Sequence, residues 1–222
     1  MLAKLSKLVT VLFLLVELIL YWLIMTAKGE VVMWSCFISI VFCFAYALLQ
    51  LKYGSKWIVS GLGFTVCADF FLVLCPASYR LWGMAFFSVV QILYAIKLHL
   101  ANKAKWLLVV RLCLIAAIEA VCFAVLGGKP DALAVVSVCY YANLVMNIVA
   151  AFTRFRVNKL LLIGLVLFVM CDTVIGLQMA CDVYLPVSHD SALYKILFSD
   201  FFWSWFFYLP SQVLIALSSR KK

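Results

Sequence analysis

Charge is scarce in this sequence: Asp, Glu, Lys and Arg make up 12% of its 222 residues, about half the share found in an ordinary soluble domain. So little charge cannot clothe a water-facing surface, and no stretch of the chain has the composition of a soluble domain. Histidine is rarer still. His99 and His189 stand alone, both near the ends of apolar runs, so a histidine-rich zinc site is not expected. There is no G-x-S-x-G elbow, no Walker loop and no Rossmann glycine pattern, which removes the chemistries those motifs carry. The nine cysteines include no C-x-x-C pair and fall in or beside apolar runs, as small core residues do. Cys75 and Cys181 fall near the same membrane surface, so a disulfide between them is one arrangement the sequence allows. No cleavable leader is expected, because the first apolar run exceeds the roughly 7–15 residues of a signal core.

What fills the chain is hydrocarbon. Hydrophobic residues reach 68% and mean hydropathy is +1.18, which predicts an all-α integral membrane protein. Spans of roughly 20 apolar residues are needed to cross a bilayer. Eight such stretches occur, at about 5–26, 31–51, 57–75, 81–99, 106–126, 131–153, 160–181 and 196–217. Together they make one transmembrane domain over 1–222. Trp57, Trp82 and Trp106 open helices, as an interfacial aromatic belt would.

Placing both termini in the cytoplasm puts 13 basic residues inside and four outside, with Arg111 left within the fifth stretch. The inner set is Lys4, Lys7, Lys52, Lys56, Lys97, Lys103, Lys105, Arg154, Arg156, Lys159, Arg220, Lys221 and Lys222. The outer set is Lys28, Arg80, Lys129 and Lys195. An odd number of spans would scramble this asymmetry. The net charge of +9 therefore reflects topology, and membrane lipids rather than nucleic acid are the expected surroundings.

Against this background Asp69 and Asp172 stand out. A carboxylate at the centre of a span costs about 2.5–3.5 kcal/mol on insertion scales, so one seldom persists there without a use. Asp69 comes 12 residues after Trp57 and Asp172 comes 12 after Leu160, which puts each about 18 Å from the inner end of its helix. Both close a pattern of the form G-L-x-[FL]-x-V-x-x-D, from Gly61 and from Gly164. That recurrence hints at a parallel four-plus-four repeat.

Other polar residues lie at usable depths. Glu17 and Glu119 occupy the first and fifth stretches, each readable as a structural carboxyl bonded to a hydroxyl, an amide or Arg111. Arg111 lies near the inner surface, where it is expected to snorkel. Asp200 opens the last stretch and reads as a solvated helix end. Gln91 and Tyr94 share the fourth stretch, and Tyr140, Asn143 and Asn147 form one stripe on the sixth. The eighth carries Ser204, Tyr208 and Gln212, with Pro210 between the last two. Any one of these serves as interhelical glue worth about 0.6–2 kcal/mol; their concentration favours a polar cavity.

Four segments, Ala68–Leu72, Phe87–Tyr94, Gly164–Asp172 and Tyr208–Gln212, together resemble the motifs of the YhhN-like lysoplasmalogenase family. Its G-D-x-F-L segment followed by F-x-x-x-H-x-x-Y reads here Ala68-Asp69-Phe70-Phe71-Leu72 and Phe87-Ser88-Val89-Val90-Gln91-Ile92-Leu93-Tyr94. Its G-x-x-x-F-x-x-S-D block reads Gly164 through Phe168 to Cys171-Asp172, and its Y-x-x-x-Q ending reads Tyr208-Leu209-Pro210-Ser211-Gln212. Ala68 replaces the family glycine, and Gln91 stands where the family usually has histidine, which removes a titratable group. The resemblance implies an eight-helix membrane enzyme that cleaves the vinyl-ether bond of lysoplasmalogens. Its products would be a fatty aldehyde and glycerophosphoethanolamine or glycerophosphocholine.

The aspartates suit that chemistry. Protonating a vinyl ether produces an oxocarbenium ion, a problem glycosidases solve with two carboxyls about 5–10 Å apart. Asp69 and Asp172 are the expected catalytic pair, one as acid and one as base. Gln91, Tyr94, Glu119, Tyr140, Asn143, Asn147, Tyr208 and Gln212 are the expected supporting or substrate-binding residues. The reaction needs a lysophospholipid and water, with no cofactor and no metal. The competing readings are a proton-coupled transporter, which a parallel repeat would also suit, and an inactive lipid-binding protein. A bacterial chain would sit in the inner membrane and a eukaryotic one in the endoplasmic reticulum.

Overall fold

The long apolar runs fold as helices, in which a segment satisfies its own backbone amides without water. A computed structural model describes residues 2–52, 54–102, 105–125, 131–184 and 187–220. Helix α1 spans Leu2–Thr26, α2 Glu30–Leu49, α3 Lys56–Asp69 and α4 Arg80–Asn102. Helix α5 spans Lys105–Val125, α6 Ala132–Phe152 and α7 Phe155–Met179; a short α8, Ala192–Leu197, precedes α9, Trp203–Ser218. Asp131 starts α6 by accepting from the Ala134 amide at 2.7 Å, which satisfies one orphan donor of the first turn. Each of α3 and α7 ends in a wide π-helical turn, Phe70–Leu74 and Ala180–Tyr184.

Seven of these segments are long and apolar enough to cross a bilayer. The eighth expected stretch, 196–217, is divided. Its first residues belong to α8, and the chain turns through 198–202 before α9 begins at Trp203. The break is held by side chains: Gln178 donates to the Leu197 carbonyl at 2.7 Å and Ser199 to that of Ile196 at 2.9 Å. Asp200 thus lies in a turn rather than in a helix. Helix α9 has 16 residues, about 24 Å of rise.

Six helices close a ring, in the order α2, α3, α4, α6, α7, α9 and back to α2, with α1 and α5 packed outside on α2 and α6. The halves repeat: α1 packs on α2, α2 on α3 and α3 on α4, as α5 packs on α6, α6 on α7 and α7 on α9. Two reciprocal contacts, α4 with α6 and α9 with α2, join them. The hinted four-plus-four arrangement is therefore present in the packing. Outside the ring α1 exposes Leu8, Leu15, Leu18 and Trp22, and α5 exposes Leu108, Val109, Leu112 and Val121. Apolar surface that continuous belongs against hydrocarbon.

Equivalent glycines make the close approaches. A Cβ on Gly61 would lie 2.3 Å from Tyr94 Cε1, and one on Gly164 would lie 2.8 Å from Ile215 Cγ1. Tyr94 and Ile215 are the seventh residues after Phe87 and Tyr208, so the contact recurs at matching places in both halves. At one end of the bundle the Ser55 amide donates to the Ser219 carbonyl at 2.8 Å. This ties the basic α2–α3 turn to the basic end of α9.

The Gly61 packing gives a direct test. Tyr94 is fully buried, so Gly61→Ala must displace its ring, an overpacking cost of about 1–3 kcal/mol. Gly176→Ala meets nothing within 4 Å and serves as the control. Thermal unfolding in detergent should show a clearly lower midpoint for the first variant alone; equal midpoints would refute the close-packing argument.

Candidate active site

Asp69 closes α3 and its carboxylate Oδ2 accepts a hydrogen bond from the Tyr208 hydroxyl on α9 at 2.6 Å. Asp172, on α7, accepts one from the Tyr140 hydroxyl on α6. Asp69 is buried and Asp172 partly so. The two carboxyls lie within electrostatic reach of each other. A carboxylate in an apolar setting must be hydrogen-bonded or neutral, and a phenol hydroxyl meets the first condition. The wide turn Phe70–Leu74 begins directly after Asp69, a backbone device often found at functional sites.

The two tyrosine rings belong to one aromatic cluster. Phe168 lies 5.4 Å from Tyr208 and 6.3 Å from Tyr140, centroid to centroid, and Phe87 lies 5.8 Å from Tyr140 and 5.5 Å from Phe168. Trp205 meets Tyr208 edge-on at 4.9 Å. Such contacts fix ring orientation and hence the direction of each hydroxyl. Within α9, Pro210 cannot donate to the Phe206 carbonyl. That carbonyl accepts instead a long contact, 3.5 Å, from the Tyr21 hydroxyl of α1.

Below the carboxyls, toward the basic end, lies a second polar layer. The Asn147 Nδ2 donates to both the Gln91 Oε1 and the Gln91 carbonyl, each at 2.9 Å. Arg111 extends from α5 to donate to Asn143 Oδ1 at 2.9 Å and Asn147 Oδ1 at 2.8 Å. The guanidinium is thus turned onto α6 rather than snorkelling to the surface as its position suggests. Gln212 is fully buried one turn beyond Tyr208. Among the described residues, neither end of its amide has a partner.

The structure therefore brings together Asp69, Asp172, Tyr140 and Tyr208, links Asn143 and Asn147 through Arg111, and joins Gln91 to Asn147. Tyr94 fills the space opened by Gly61. Glu119 stands apart on α5, its carboxyl oxygens without a partner among the described residues. Glu17 is structural in the expected way, accepting from Ser39 Oγ at 2.7 Å and from Cys43 Sγ at 3.6 Å. All nine cysteines are free, Cys75 and Cys181 included. Among the described residues no three His, Cys, Asp or Glu side chains gather as metal ligands would.

The repeat also gives candidate residues counterparts, among them Cys36, Ser39, Cys43 and Phe87, that the sequence reading did not single out for the site. Cys36, Ser39 and Cys43 on α2 have the spacing of Tyr140, Asn143 and Asn147 on α6. Cys36 is within electrostatic reach of Asp69, as its counterpart Tyr140 is bonded to Asp172. Phe87 and Gln91 on α4 match Tyr208 and Gln212 on α9 in the same way. The signal lay in the shared three- and four-residue intervals, hidden because the residue types differ.

Comparison with known proteins agrees with the motifs. Residues 31–219 match the sequence model of the YhhN family. Searches of curated proteins and of solved structures return no match. With the match running over most of the chain, from the start of α2 to the end of α9, this protein belongs to the YhhN family, the lysoplasmalogenase family.

Proposed function

We propose that this chain is an intramembrane hydrolase that cleaves the vinyl-ether bond of lysoplasmalogens, giving a fatty aldehyde and glycerophosphoethanolamine or glycerophosphocholine. The observation that carries the reading is the pair of carboxyls, each held by a tyrosine hydroxyl and within electrostatic reach of one another inside an apolar ring of helices. Family membership supports it.

In the proposed reaction one aspartic acid gives its proton to the β-carbon of the vinyl ether. The alkene electron pair forms the new C–H bond, and an oxocarbenium ion develops at the α-carbon. The second aspartate, ionised, stabilises that cation and takes a proton from water as the water oxygen bonds to it. The hemiacetal then collapses. Its hydroxyl proton passes to the first carboxylate, the second carboxyl protonates the departing glycerol oxygen, and both groups return to their starting states. One water is consumed. Because all proton transfers run through the carboxyls, Gln91 in place of histidine leaves the scheme intact. Tyr140 and Tyr208 position the carboxylates and modulate their charge.

Two measurements test the scheme with purified protein and lysoplasmenylethanolamine. Asp69→Asn and Asp172→Asn should each reduce aldehyde release by at least about a hundredfold, the scale of general acid–base catalysis. Wild-type turnover in either folded variant would sink the paired mechanism. Tyr140→Phe and Tyr208→Phe remove a hydrogen bond to a charged group, worth about 1.5–3 kcal/mol, so kcat should fall roughly 10–100-fold with KM little changed. A parallel repeat is also a carrier architecture. Aldehyde formed in detergent, without a sealed compartment, separates hydrolase from carrier, since a carrier would form none.

A further inference from the structure

Among the described residues, Arg111 is a cation with no anionic partner. It lies six residues into α5, about 9 Å from the helix start, yet its guanidinium turns onto α6. Its hydrogen-bond partners among the described residues are neutral: the Asn143 Oδ1, the Asn147 Oδ1 and, more distantly, the Asn143 carbonyl at 3.5 Å. Asn143 is itself fixed by donating to the Cys139 carbonyl at 3.0 Å. A positive charge held among apolar helices by amides alone is costly, and a guanidinium has five donors in a fork suited to phosphate.

A second observation points to the same ligand. A guanidinium can only donate, so the oxygen of the Asn147 amide must face Arg111 and its nitrogen must face Gln91. An amide nitrogen cannot accept, so the group meeting Asn147 Nδ2 at 2.9 Å is the Gln91 oxygen, and the Gln91 nitrogen faces away. Gln91 Nε2 is then a buried donor with no partner among the described residues, on a side chain that is fully buried. One cation and one orphan donor, joined through a single asparagine, place two groups that favour an anion in one hydrogen-bonded chain.

Its position matches the lipid. Asn143 and Asn147 follow Tyr140 by three and seven residues along one stripe of α6, about 5 and 11 Å toward the basic end. In a lysophospholipid with a vinyl ether at one glycerol carbon, the phosphate lies a few bonds away, a separation on the same scale. We propose that Arg111, oriented by Asn143 and Asn147 and accompanied by the Gln91 donor, forms the subsite for the phosphate of a single-chain lysophospholipid. It sets the headgroup toward the basic end and the vinyl ether against Asp69 and Asp172. The inference rests on the proposed lipid substrate, and it adds the group by which that substrate is recognised.

The test uses ligands that cannot be hydrolysed. Binding of 1-O-hexadecyl-lysophosphatidylcholine and of 1-O-hexadecylglycerol, which lacks the phosphate, is measured on purified wild-type protein and on Arg111→Gln in detergent. Wild type should prefer the phosphate-bearing lipid. Arg111→Gln should bind it at least about tenfold more weakly, on the scale of one lost charge-assisted bond, while its affinity for the alkylglycerol stays within about twofold. Should Arg111→Gln not remain monodisperse, Arg111→Lys carries the test, with a weaker loss confined to the same lipid. Equal losses for both lipids would make Arg111 a structural strut, and no loss would make it irrelevant; either overturns the subsite. Inorganic phosphate that displaces the lipid at low millimolar concentration would also overturn it, by assigning the cradle to the free ion. Aldehyde release is scored separately. If it is absent while phosphate-dependent binding persists, the hydrolase reading fails and the subsite stands.

Discussion

A carboxyl group surrounded by hydrocarbon has to find its hydrogen bonds inside the protein, and the rest of this structure is arranged around two that do. Tyr208 reaches Asp69 from α9, and Tyr140 reaches Asp172 from α6. Holding those hydroxyls in place requires the aromatic cluster of Phe87, Phe168 and Trp205, and the cluster requires a closed ring of helices. The ring in turn requires glycine at Gly61 and Gly164, where a side chain would collide with the facing helix.

The ring is built twice from the same plan, yet its halves are chemically unequal. Both tyrosines come from the second half. Their counterparts in the first are Cys36 and Phe87, a weak donor and a residue that cannot donate at all. The layer below shows the same divergence. Glu17 sits on Ser39 and Cys43 in one half, and Arg111 sits on Asn143 and Asn147 in the other. The duplicated frame therefore gives its two carboxyls different surroundings, with a tyrosine stripe on α6 beside one and cysteine and serine on α2 in the matching place.

Much of this was legible in the sequence along one coordinate. Counting residues from the helix ends placed Asp69 and Asp172 at one depth, and the stripe Tyr140, Asn143, Asn147 was visible from its spacing. What counting cannot supply is the angle about each helix axis. That angle decides that Arg111 faces α6, that Glu119 stays outside the ring, and that Tyr94 fills the gap at Gly61. The division of the last stretch into α8 and α9 was hidden for a different reason. Its breaking residues, Ser199 and Asp200, are few, and the side chain that helps hold the break, Gln178, lies on another helix.

The sequence separation of the two tyrosine bonds carries a consequence for synthesis. Tyr140 and Asp172 are 32 residues apart, on consecutive helices, whereas Asp69 and Tyr208 are separated by 139. A ribosome that delivers the helices in order releases α3 with its acidic group long before α9 exists. For most of translation Asp69 has no phenol to hold it, and the first half of the ring stays open on the face that α9 will occupy. Assembly is therefore gated by the last helix to emerge, and a nascent chain stalled before Trp203 would expose an unpartnered acid to whatever quality-control machinery surveys the bilayer.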